Sequence, residues 1–328
     1  MTRHSDRVSV EVILPEDGGR SRMAAEVREG LTRPLKEISP RYFYDERGSE
    51  LFERITELPE YYPTRCEREI LETRAGDIVS SAKPSSLIEL GSGSAAKSRI
   101  LLDEMKKAGS LEAYCPVDIS EEITRQTAAQ IADEYDGVEV RGLISDFEHD
   151  FVSLPVGAPR LVAFLGGTIG NLMPEGRAEF LDGIVGLLDP EDRFLVGVDL
   201  VKDPETLVAA YDDAQGVTAE FNLNVLNVLN RELSGNLDPE GFEHVALWDP
   251  ENLWIEMRLR SLAEQQARLD SIDLDLRFDR GEEVRTEIST KFVRPGLEEI
   301  LREAGLELTD WFSDEDGKFA LALAAPVG

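Results

Sequence analysis

The chain has 328 residues, of which 41% are hydrophobic and 31% charged, a composition typical of a globular protein with two compact units or one α/β unit carrying an insertion. Its 66 acidic residues outnumber 35 basic ones, and the formal net charge of −31 disfavours a nucleic-acid partner because phosphate backbones would be repelled. No apolar run approaches the roughly 20 residues that span a bilayer, no secretory signal is visible, and two cysteines are too few for a disulfide framework. We therefore expect a cytoplasmic protein without a membrane partner.

The region 85–200 alternates between apolar strand patterns and amphipathic helix patterns. Helices are predicted over 97–108, 121–135 and 177–188, and strands over 86–90, 112–117, 138–144, 161–165 and 194–200. Because successive strand–helix–strand connections make neighbouring strands parallel, this rhythm predicts an α/β fold with a mainly parallel sheet covered by helices on both faces.

The stretch 201–291 breaks this rhythm and reads as an insertion. It contains a helical pattern over 208–233 with Asn-rich interruptions, and strand patterns over 253–262, 271–278 and 283–292. Together with the aromatic-rich N-terminal segment, it predicts a second, α+β domain made of 10–65 and 201–291. The first domain would then comprise 66–200 and 292–328.

The C-terminal segment predicts how the first sheet ends. A helix over 296–304 is followed by strand patterns at 306–311 and 318–324, which a turn at 314–317 separates. Two strands joined in this way form an antiparallel pair at a sheet edge. A mainly parallel Rossmann-like sheet with such a C-terminal hairpin resembles the class I methyltransferase fold. Common nicotinamide-binding domains do not usually end in an antiparallel hairpin.

A glycine-rich turn follows the first of the five predicted strands. Gly91 and Gly93 can adopt backbone angles that a side chain disfavours, so the turn between Leu87 and Lys97 can bring N–H groups against a ligand at a helix N-terminus. The spacing of Gly91, Gly93 and Ala96 also fits the loose dinucleotide fingerprint. The turn alone therefore leaves a nicotinamide enzyme and an S-adenosylmethionine enzyme both open.

Acidic residues end the next two predicted strands. Asp118 is placed to bind both ribose hydroxyls of a nucleoside, or to cap the following helix. Asp146 and Phe147 are placed to hold an adenine through a carboxylate and a backbone amide, or to be ordinary loop residues. Lys97, at a helix start where a cation is unfavourable, indicates a ligand carboxylate or a solvated lysine. The three histidines show no metal-ligand spacing, so we expect no metal.

With these residues in view, the chain resembles the histidine-specific, S-adenosylmethionine-dependent N-alpha-methyltransferases of ergothioneine biosynthesis, which form hercynine. The resemblance runs from about Arg28 to Ala324. It rests on the motifs Phe43–Ser49, Leu58–Arg65, Glu89–Gly93, Phe164–Leu172, Asp199–Asp203, Tyr211–Asp213, Phe221–Asn222, Asn230–Glu232, Ile255–Met257 and Thr286–Ser289.

The resemblance implies three methyl transfers from S-adenosylmethionine to the α-amine of L-histidine, with a cofactor-binding first domain and a substrate-binding second domain. It implies that S-adenosylmethionine contacts Gly91, Lys97, Asp118, Asp146 and Phe147. It also implies that histidine contacts Tyr61, Asn171, Tyr211, Met257, Glu287 and Ser289.

Within that set, Glu287 and Ser289 would bind the imidazole, and Tyr211 the carboxylate. Asn171 would orient the amine, and Tyr44 or water would carry its proton away. We expect a monomer acting on a small molecule.

Three alternatives stay open at this stage. The same fold could methylate another aromatic amino acid, in which case Met257 and Glu287 would distinguish the substrates. A nicotinamide-dependent oxidoreductase would use the glycine turn for a pyrophosphate. A cofactor-binding regulator without catalytic activity would need partner surfaces that the sequence does not reveal.

Overall fold

The structure is a computed structural model that describes residues 7–13, 19–146 and 155–327. The strands are β1 (Val8–Val12), β2 (Lys36–Glu37), β3 (Ser86–Leu90), β4 (Ala113–Asp118), β5 (Glu139–Ile144), β6 (Arg160–Phe164), β7 (Arg193–Asp199), β8 (Phe242–Asp249), β9 (Trp254–Ser261), β10 (Gln265–Leu269), β11 (Leu274–Phe278), β12 (Glu283–Thr290), β13 (Leu306–Ser313) and β14 (Phe319–Pro326). The α-helices are α1 (Arg20–Leu31), α2 (Glu46–Thr56), α3 (Pro63–Ala82), α4 (Ser98–Ala108), α5 (Glu121–Glu134), α6 (Pro174–Leu187), α7 (Pro204–Ala209), α8 (Val217–Leu233) and α9 (Arg294–Glu303).

The chain divides into two compact units. Among the described residues, the first unit contains 7–13, 65–146, 155–200 and 292–327, and the second contains 19–64 and 201–291. The expected start of the second domain at residue 10 is wrong, because β1 pairs in parallel with β5 and so extends the sheet of the first unit.

The first unit is built on an eight-stranded sheet in the order β1-β5-β4-β3-β6-β7-β14-β13. The strands from β1 to β7 in this order are parallel, while β14 runs antiparallel to both β7 and β13. Every residue of β3 and β6 is buried, as expected for parallel strands with both faces covered. This is a class I methyltransferase fold, and the predicted C-terminal hairpin is present.

The core of this unit explains why the central strands read as continuous apolar runs. Phe164 on β6 packs against Phe180 on α6 with ring centroids 4.7 Å apart, and both side chains are buried. Ile88 on β3 and Leu297 on α9 belong to the same buried cluster. Burial of this apolar surface positions the carboxyl ends of the strands, where the glycine turn and the acidic residues lie.

The second unit contains a four-stranded sheet in the order β2-β12-β9-β8 and a separate hairpin of β10 and β11. The short β2, from the N-terminal segment, runs parallel to β12, and the other neighbours are antiparallel. The sequence did not predict β8, because six of its eight residues are only partly buried and no alternation of apolar and polar residues marks it.

The helix predicted over 208–233 is interrupted, but not at its asparagines, since Asn222, Asn224, Asn227 and Asn230 all lie within α8. The chain forms α7, leaves the helix, and restarts at α8 after Gly216, whose φ of 73° is left-handed. Asp213 accepts hydrogen bonds from the backbone N–H groups of Gln215, Val217 and Thr218, at 3.0, 3.0 and 2.7 Å. These bonds satisfy the N–H groups at the start of α8, so the break is a capped helix end.

Candidate functional site

The glycine turn of the first unit has an unusual backbone. Gly91, Gly93 and Ala95 have φ values of 71°, 47° and 53°, so three alternate residues are left-handed before α4 begins. The Gly91 N–H donates to the carbonyl of Val117 on β4 at 2.8 Å. A Cβ on Gly93 would meet no atom within 4 Å, so the turn leaves open space at this point. A ligand can therefore approach the backbone closely.

Asp118 holds this turn in place. Its Oδ2 accepts from the Gly93 N–H at 2.9 Å, and its Oδ1 accepts from the Ser120 N–H at 3.0 Å. The hydroxyl of Ser120, and not Asp118, caps α5 by accepting from the N–H of Ile123. Each carboxylate oxygen keeps a further lone pair, so the residue can still accept from ligand hydroxyls.

Lys97 pairs with a buried carboxylate of the protein. Its ammonium donates to Glu67, a fully buried residue on α3 that also accepts from the Gly166 N–H at 2.7 Å. A Cβ at Gly197 would overlap the same carboxylate, so this residue of β7 must lack a side chain. Lys97 is therefore not simply a solvated lysine, and the anion beside it is a carboxylate of the protein, so its position at the helix start does not by itself indicate a ligand carboxylate.

The remaining candidates of the first unit follow neighbouring strands. Asp146 is buried two residues after β5, and Asn171 ends a short 3₁₀ helix, Thr168–Asn171, after β6. Phe147 lies outside the described residues. Because β5, β4, β3 and β6 are adjacent and parallel, Asp146, Asp118 and the glycine turn follow the same carboxyl edge of the sheet. The chain leaves β3 for β4 on one side of it, while β6 lies on the other side of β3. Open parallel sheets bind ligands at the point where the strand order reverses in this way.

In the second unit, Glu287 lies next to a β-bulge. Arg285 pairs with Arg258 and Glu287 pairs with Met257, so Thr286 is an extra residue in β12. With regular pairing, Glu287 and Ser289 would lie on the same face of the sheet as Arg285. The extra residue shifts the alternation of side chains, so both lie on the opposite face. Sequence patterning did not predict this bulge.

The bulge is supported by a buried amide. Asn222 on α8 accepts from the Thr286 hydroxyl at 2.6 Å and donates to the carbonyl of Arg258 at 3.1 Å. Its Nδ2 also donates to His244 Nδ1 at 2.8 Å, while His244 Nε2 donates to the carbonyl of Tyr211 at 2.8 Å. Burial lowers the pKa of His244, in keeping with a neutral ring that donates at Nε2 and accepts at Nδ1.

Glu287 and Met257 form a buried pair across the strands. Burial raises the pKa of Glu287 to about 8, although the charge of Lys291 acts in the opposite direction. Met257 is 2% exposed. A carboxyl group held in such surroundings is a strong hydrogen-bonding partner for a polar ligand and is costly to leave unpaired.

Tyr211, Ser289 and Lys291 form a buried polar triad. The Tyr211 hydroxyl donates to Ser289 Oγ at 2.8 Å, and the Lys291 ammonium donates to Ser289 Oγ at 2.7 Å and to Tyr211 Oη at 3.0 Å. Lys291 is 1% exposed. The sequence singled out Tyr211 and Ser289 but missed Lys291, since a lysine after a strand is ordinarily a solvated residue.

Tyr61 and Tyr44 belong to an aromatic group within the same unit. The Tyr61 ring lies 6.3 Å from that of Tyr211 and 6.2 Å from that of Phe52, in edge-on arrangements. Tyr44 contacts Phe52 at 5.5 Å and Phe221 at 5.8 Å, yet 45% of the residue is exposed. Desolvation by the surrounding protein, and then Glu287 and Tyr211, raise the pKa of Tyr44. Its hydroxyl therefore stays protonated at neutral pH.

Neither a metal-binding cluster nor a membrane-spanning helix occurs among the residues that the structure describes. Across 7–13, 19–146 and 155–327, no group of three His, Cys, Asp or Glu side chains is arranged to hold a metal ion. Over the same ranges, no helix has the length and apolar character needed to cross a bilayer.

The sheet order and the polar residues at its carboxyl edge define a class I methyltransferase. A family profile described as histidine-specific, SAM-dependent methyltransferase matches residues 23–326. The chain therefore belongs to the family of histidine-specific methyltransferases that depend on S-adenosylmethionine.

Individual relatives agree with this family. The chain is 47% identical to the histidine N-alpha-methyltransferase of Mycobacterium tuberculosis over 319 residues, which are 97% of this chain and 99% of that protein. It is equally similar to the protein of the same name from Mycolicibacterium smegmatis, over 317 residues and with the same coverage. It is also 33% identical to the ergothioneine biosynthesis protein 1 of Neurospora crassa, over 85% of this chain and 32% of that protein.

Proposed function

We propose that this protein transfers three methyl groups from S-adenosylmethionine to the α-amine of L-histidine and so forms hercynine for ergothioneine biosynthesis. The observation that carries the proposal is the pairing of Glu287 with Met257 beside a bulge, with Ser289 two residues further along the same strand. A carboxyl group and a hydroxyl at this spacing match a ring with two nitrogens. The names of the mycobacterial relatives support the same substrate.

The first unit offers residues that fit the methyl donor. The open side of the glycine turn and the spare lone pairs of Asp118 suit a nucleoside that brings its ribose hydroxyls to the end of β4. Asp146 would bind the adenine, with Phe147 assigned to it by the resemblance alone. When bound, S-adenosylmethionine supplies a methyl group on a positively charged sulfur, which is already activated for displacement.

The chain's own residues must then hold the acceptor. Glu287 and Ser289 bind the imidazole, and Tyr211 binds the substrate carboxylate, which requires its hydroxyl hydrogen to turn away from Ser289. Asn171 orients the α-amine. In each transfer, the nitrogen lone pair forms a bond to the methyl carbon while the carbon–sulfur bond breaks and its electron pair stays on sulfur. Alignment is therefore the principal contribution of the protein.

Proton removal places a limit on Tyr44. A free α-amine has a pKa near 8, so a modest decrease makes it a nucleophile at neutral pH. Because the pKa of Tyr44 is raised, its phenol can accept a hydrogen bond from the amine but does not act as a phenolate base. We assign the final proton acceptor to water, with Tyr44 orienting the amine.

Incubation of the purified protein with S-adenosylmethionine and each amino acid in turn tests this function. Mass spectrometry should show mono-, di- and trimethylated histidine, and no comparable product from tryptophan or tyrosine. Absence of histidine methylation would refute the proposal. Calorimetric titration with S-adenosylmethionine and with NAD separates a methyltransferase from an oxidoreductase, because only the first ligand should bind.

A variant of Glu287 tests the substrate site by itself. Glu287→Ala should weaken histidine methylation by roughly 10- to 100-fold, because it removes a buried hydrogen-bonding group, and leave S-adenosylmethionine affinity within about twofold. Equal losses of both would indicate a folding role for Glu287.

A further inference from the structure

Lys291 is the one ionised side chain of the polar triad, and the proposed reaction assigns it no role. Its ammonium lies 4.7 Å from the centroid of the Tyr211 ring, in addition to its hydrogen bonds to the two hydroxyls. Removing an ammonium from water costs several kcal/mol, so a buried lysine depends on the groups that surround it. The two hydroxyls are among those groups, and the bonds from Lys291 in turn limit what each hydroxyl can donate.

The hydrogen bonds of the triad constrain where Ser289 can donate. An ammonium has only donors, so both hydroxyl oxygens accept from Lys291. The Tyr211 hydroxyl, which is the more acidic, donates to Ser289 Oγ. Ser289 Oγ thus accepts two hydrogen bonds, and its own hydrogen is not used within the triad.

The same constraint holds when Tyr211 turns towards a substrate carboxylate. Lys291 then still donates to Ser289 Oγ and so turns the Ser289 hydrogen away from itself. Lys291 also still donates to Tyr211 Oη, which makes that oxygen a poor acceptor for Ser289. In both arrangements, Ser289 is left with a hydrogen to donate outside the triad.

We propose that Lys291 is a positioning residue that makes Ser289 an obligatory donor and thereby restricts the substrate to rings carrying an acceptor nitrogen. The inference rests on the proposed function, since it concerns the ring of the amino acid that is methylated. Glu287 supplies an acceptor for a ring N–H, while Ser289 supplies a donor to the second nitrogen. A neutral imidazole satisfies both groups, whereas indole and pyrrole rings carry an N–H but no acceptor and leave the Ser289 hydrogen unpaired.

The test uses two pyrrole analogues of histidine. Pyrrol-2-yl-alanine and pyrrol-3-yl-alanine each keep one ring N–H, at different positions, and replace the other nitrogen with CH. The analogue whose N–H faces Glu287 retains that bond and loses only the acceptor. The measured quantity is the discrimination ratio, which is the inhibition constant of the tighter analogue against histidine divided by the KM for histidine. The wild-type enzyme should give a ratio of about ten or more.

The variant Lys291→Met removes the charge and donors while keeping a similar length. Its discrimination ratio should fall about tenfold, towards one, through a higher KM for histidine with little change in the analogue's inhibition constant. Ser289→Ala should lower the ratio to the same extent, and the double variant should lower it no further, because both changes remove the same directed donor. Lys291→Leu replaces Lys291→Met if the methionine variant does not fold.

A second lysine of the same unit provides the matched control. Lys202 donates to the Tyr62 hydroxyl at 2.8 Å and lies 4.4 Å from the Tyr62 ring centroid, so it also forms a lysine–tyrosine pair. Lys202→Met should leave the discrimination ratio unchanged.

The inference about Lys291 is overturned if Lys291→Met keeps the wild-type ratio, or if its effect adds fully to that of Ser289→Ala. These outcomes are distinct from failure of the proposed function, which would appear as absence of histidine methylation by the wild-type enzyme.

Discussion

At the scale of single residues, the carboxylate of Asp118 has one role that the structure shows and a second that we propose. It holds the glycine turn through the Gly93 N–H, and in the proposed function it would also accept from ribose hydroxyls. The residue was predictable from the sequence, because it follows an apolar strand at the expected distance from the turn. Its bond to Gly93 was not, since that bond depends on two strands lying side by side.

Replacement of Asp118 tests this role. Asp118→Asn should weaken S-adenosylmethionine binding by roughly 10- to 100-fold, because hydrogen bonds to a charged acceptor are worth about 1.5–3 kcal/mol. Calorimetric titration measures the affinity. Asp182→Asn, an exposed change on α6 of the same unit, is the control and should leave the affinity unaltered. Unchanged binding by the Asp118 variant would remove this residue from the cofactor site.

Glu287 makes the stability of the ligand-free protein depend on pH. Its pKa is about 8 in the folded protein against an ordinary value of 4.5, so between these values the folded state retains a proton that the unfolded state has lost. The free energy of unfolding therefore falls as pH rises from 4.5 to 8. Above pH 8 both states have lost the proton, and Glu287 adds no further pH dependence. Glu287→Gln removes this penalty and should raise stability at pH 8.5 by about 1–3 kcal/mol, with little effect near pH 4.5.

Thermal unfolding across this pH range measures the difference between variant and wild type. Glu283, on the same strand, provides a control of opposite sign. Although partial burial acts to raise its pKa, hydrogen bonds from Arg258 and Arg260 lower it. Glu283→Gln should therefore destabilise the protein at neutral pH and lose this effect in acid. A Glu287→Gln difference that does not grow with pH would contradict a raised pKa.

At the scale of elements, the bulge in β12 decides which side chains of that strand share a face. The alternating pattern over 283–292 predicted a strand, and the structure contains β12 there. The same pattern could not predict the extra residue at Thr286, because the bulge is stabilised by Asn222 from a helix about 60 residues earlier in the chain. Local patterning contains no information about such a distant partner.

Asn222 is accordingly expected to matter for both stability and substrate affinity. Asn222→Ala removes a hydrogen-bond partner from His244 on β8, from the Arg258 carbonyl on β9 and from Thr286 on β12. It should cost about 2–4 kcal/mol of unfolding free energy, seen as a lower melting temperature. It should also raise the KM for histidine more than it changes S-adenosylmethionine affinity, because Glu287 follows the bulge.

A second asparagine on the same helix serves as the control for this prediction. Asn227 is exposed on α8, and Asn227→Ala should be nearly neutral in both measurements. If the two variants behave alike, the amide of Asn222 does not support the bulge.

At the scale of the whole molecule, charge is the dominant feature. Ion pairs occur on the surface, for example between Arg268 and the three carboxylates of Asp270, Asp273 and Asp275. They cannot balance 66 acidic residues with 35 basic ones. Repulsion among the excess carboxylates therefore opposes folding, and added salt weakens it.

The melting temperature should consequently rise by several degrees between about 20 mM and 0.5 M sodium chloride, where the screening length falls from tens of ångströms to a few. Choline chloride at matched ionic strength should act similarly, because the effect is screening and not binding of a particular cation. A melting temperature that falls with salt would show that attractive pairs outweigh repulsion.

The sequence by itself determined the parallel sheet, its closing hairpin, the family and most of the candidate residues. Apolar runs, turn residues and uncommon motifs are local, so they can be read without knowing which elements meet. Tertiary structure decided what depends on distant partners: Glu67 as the anion for Lys97, β1 as an added strand of the first sheet, the bulge before Glu287, and the burial of Lys291. The pairing and protonation of a charged side chain depend on what surrounds it after folding, and residues far apart in the chain supply those surroundings.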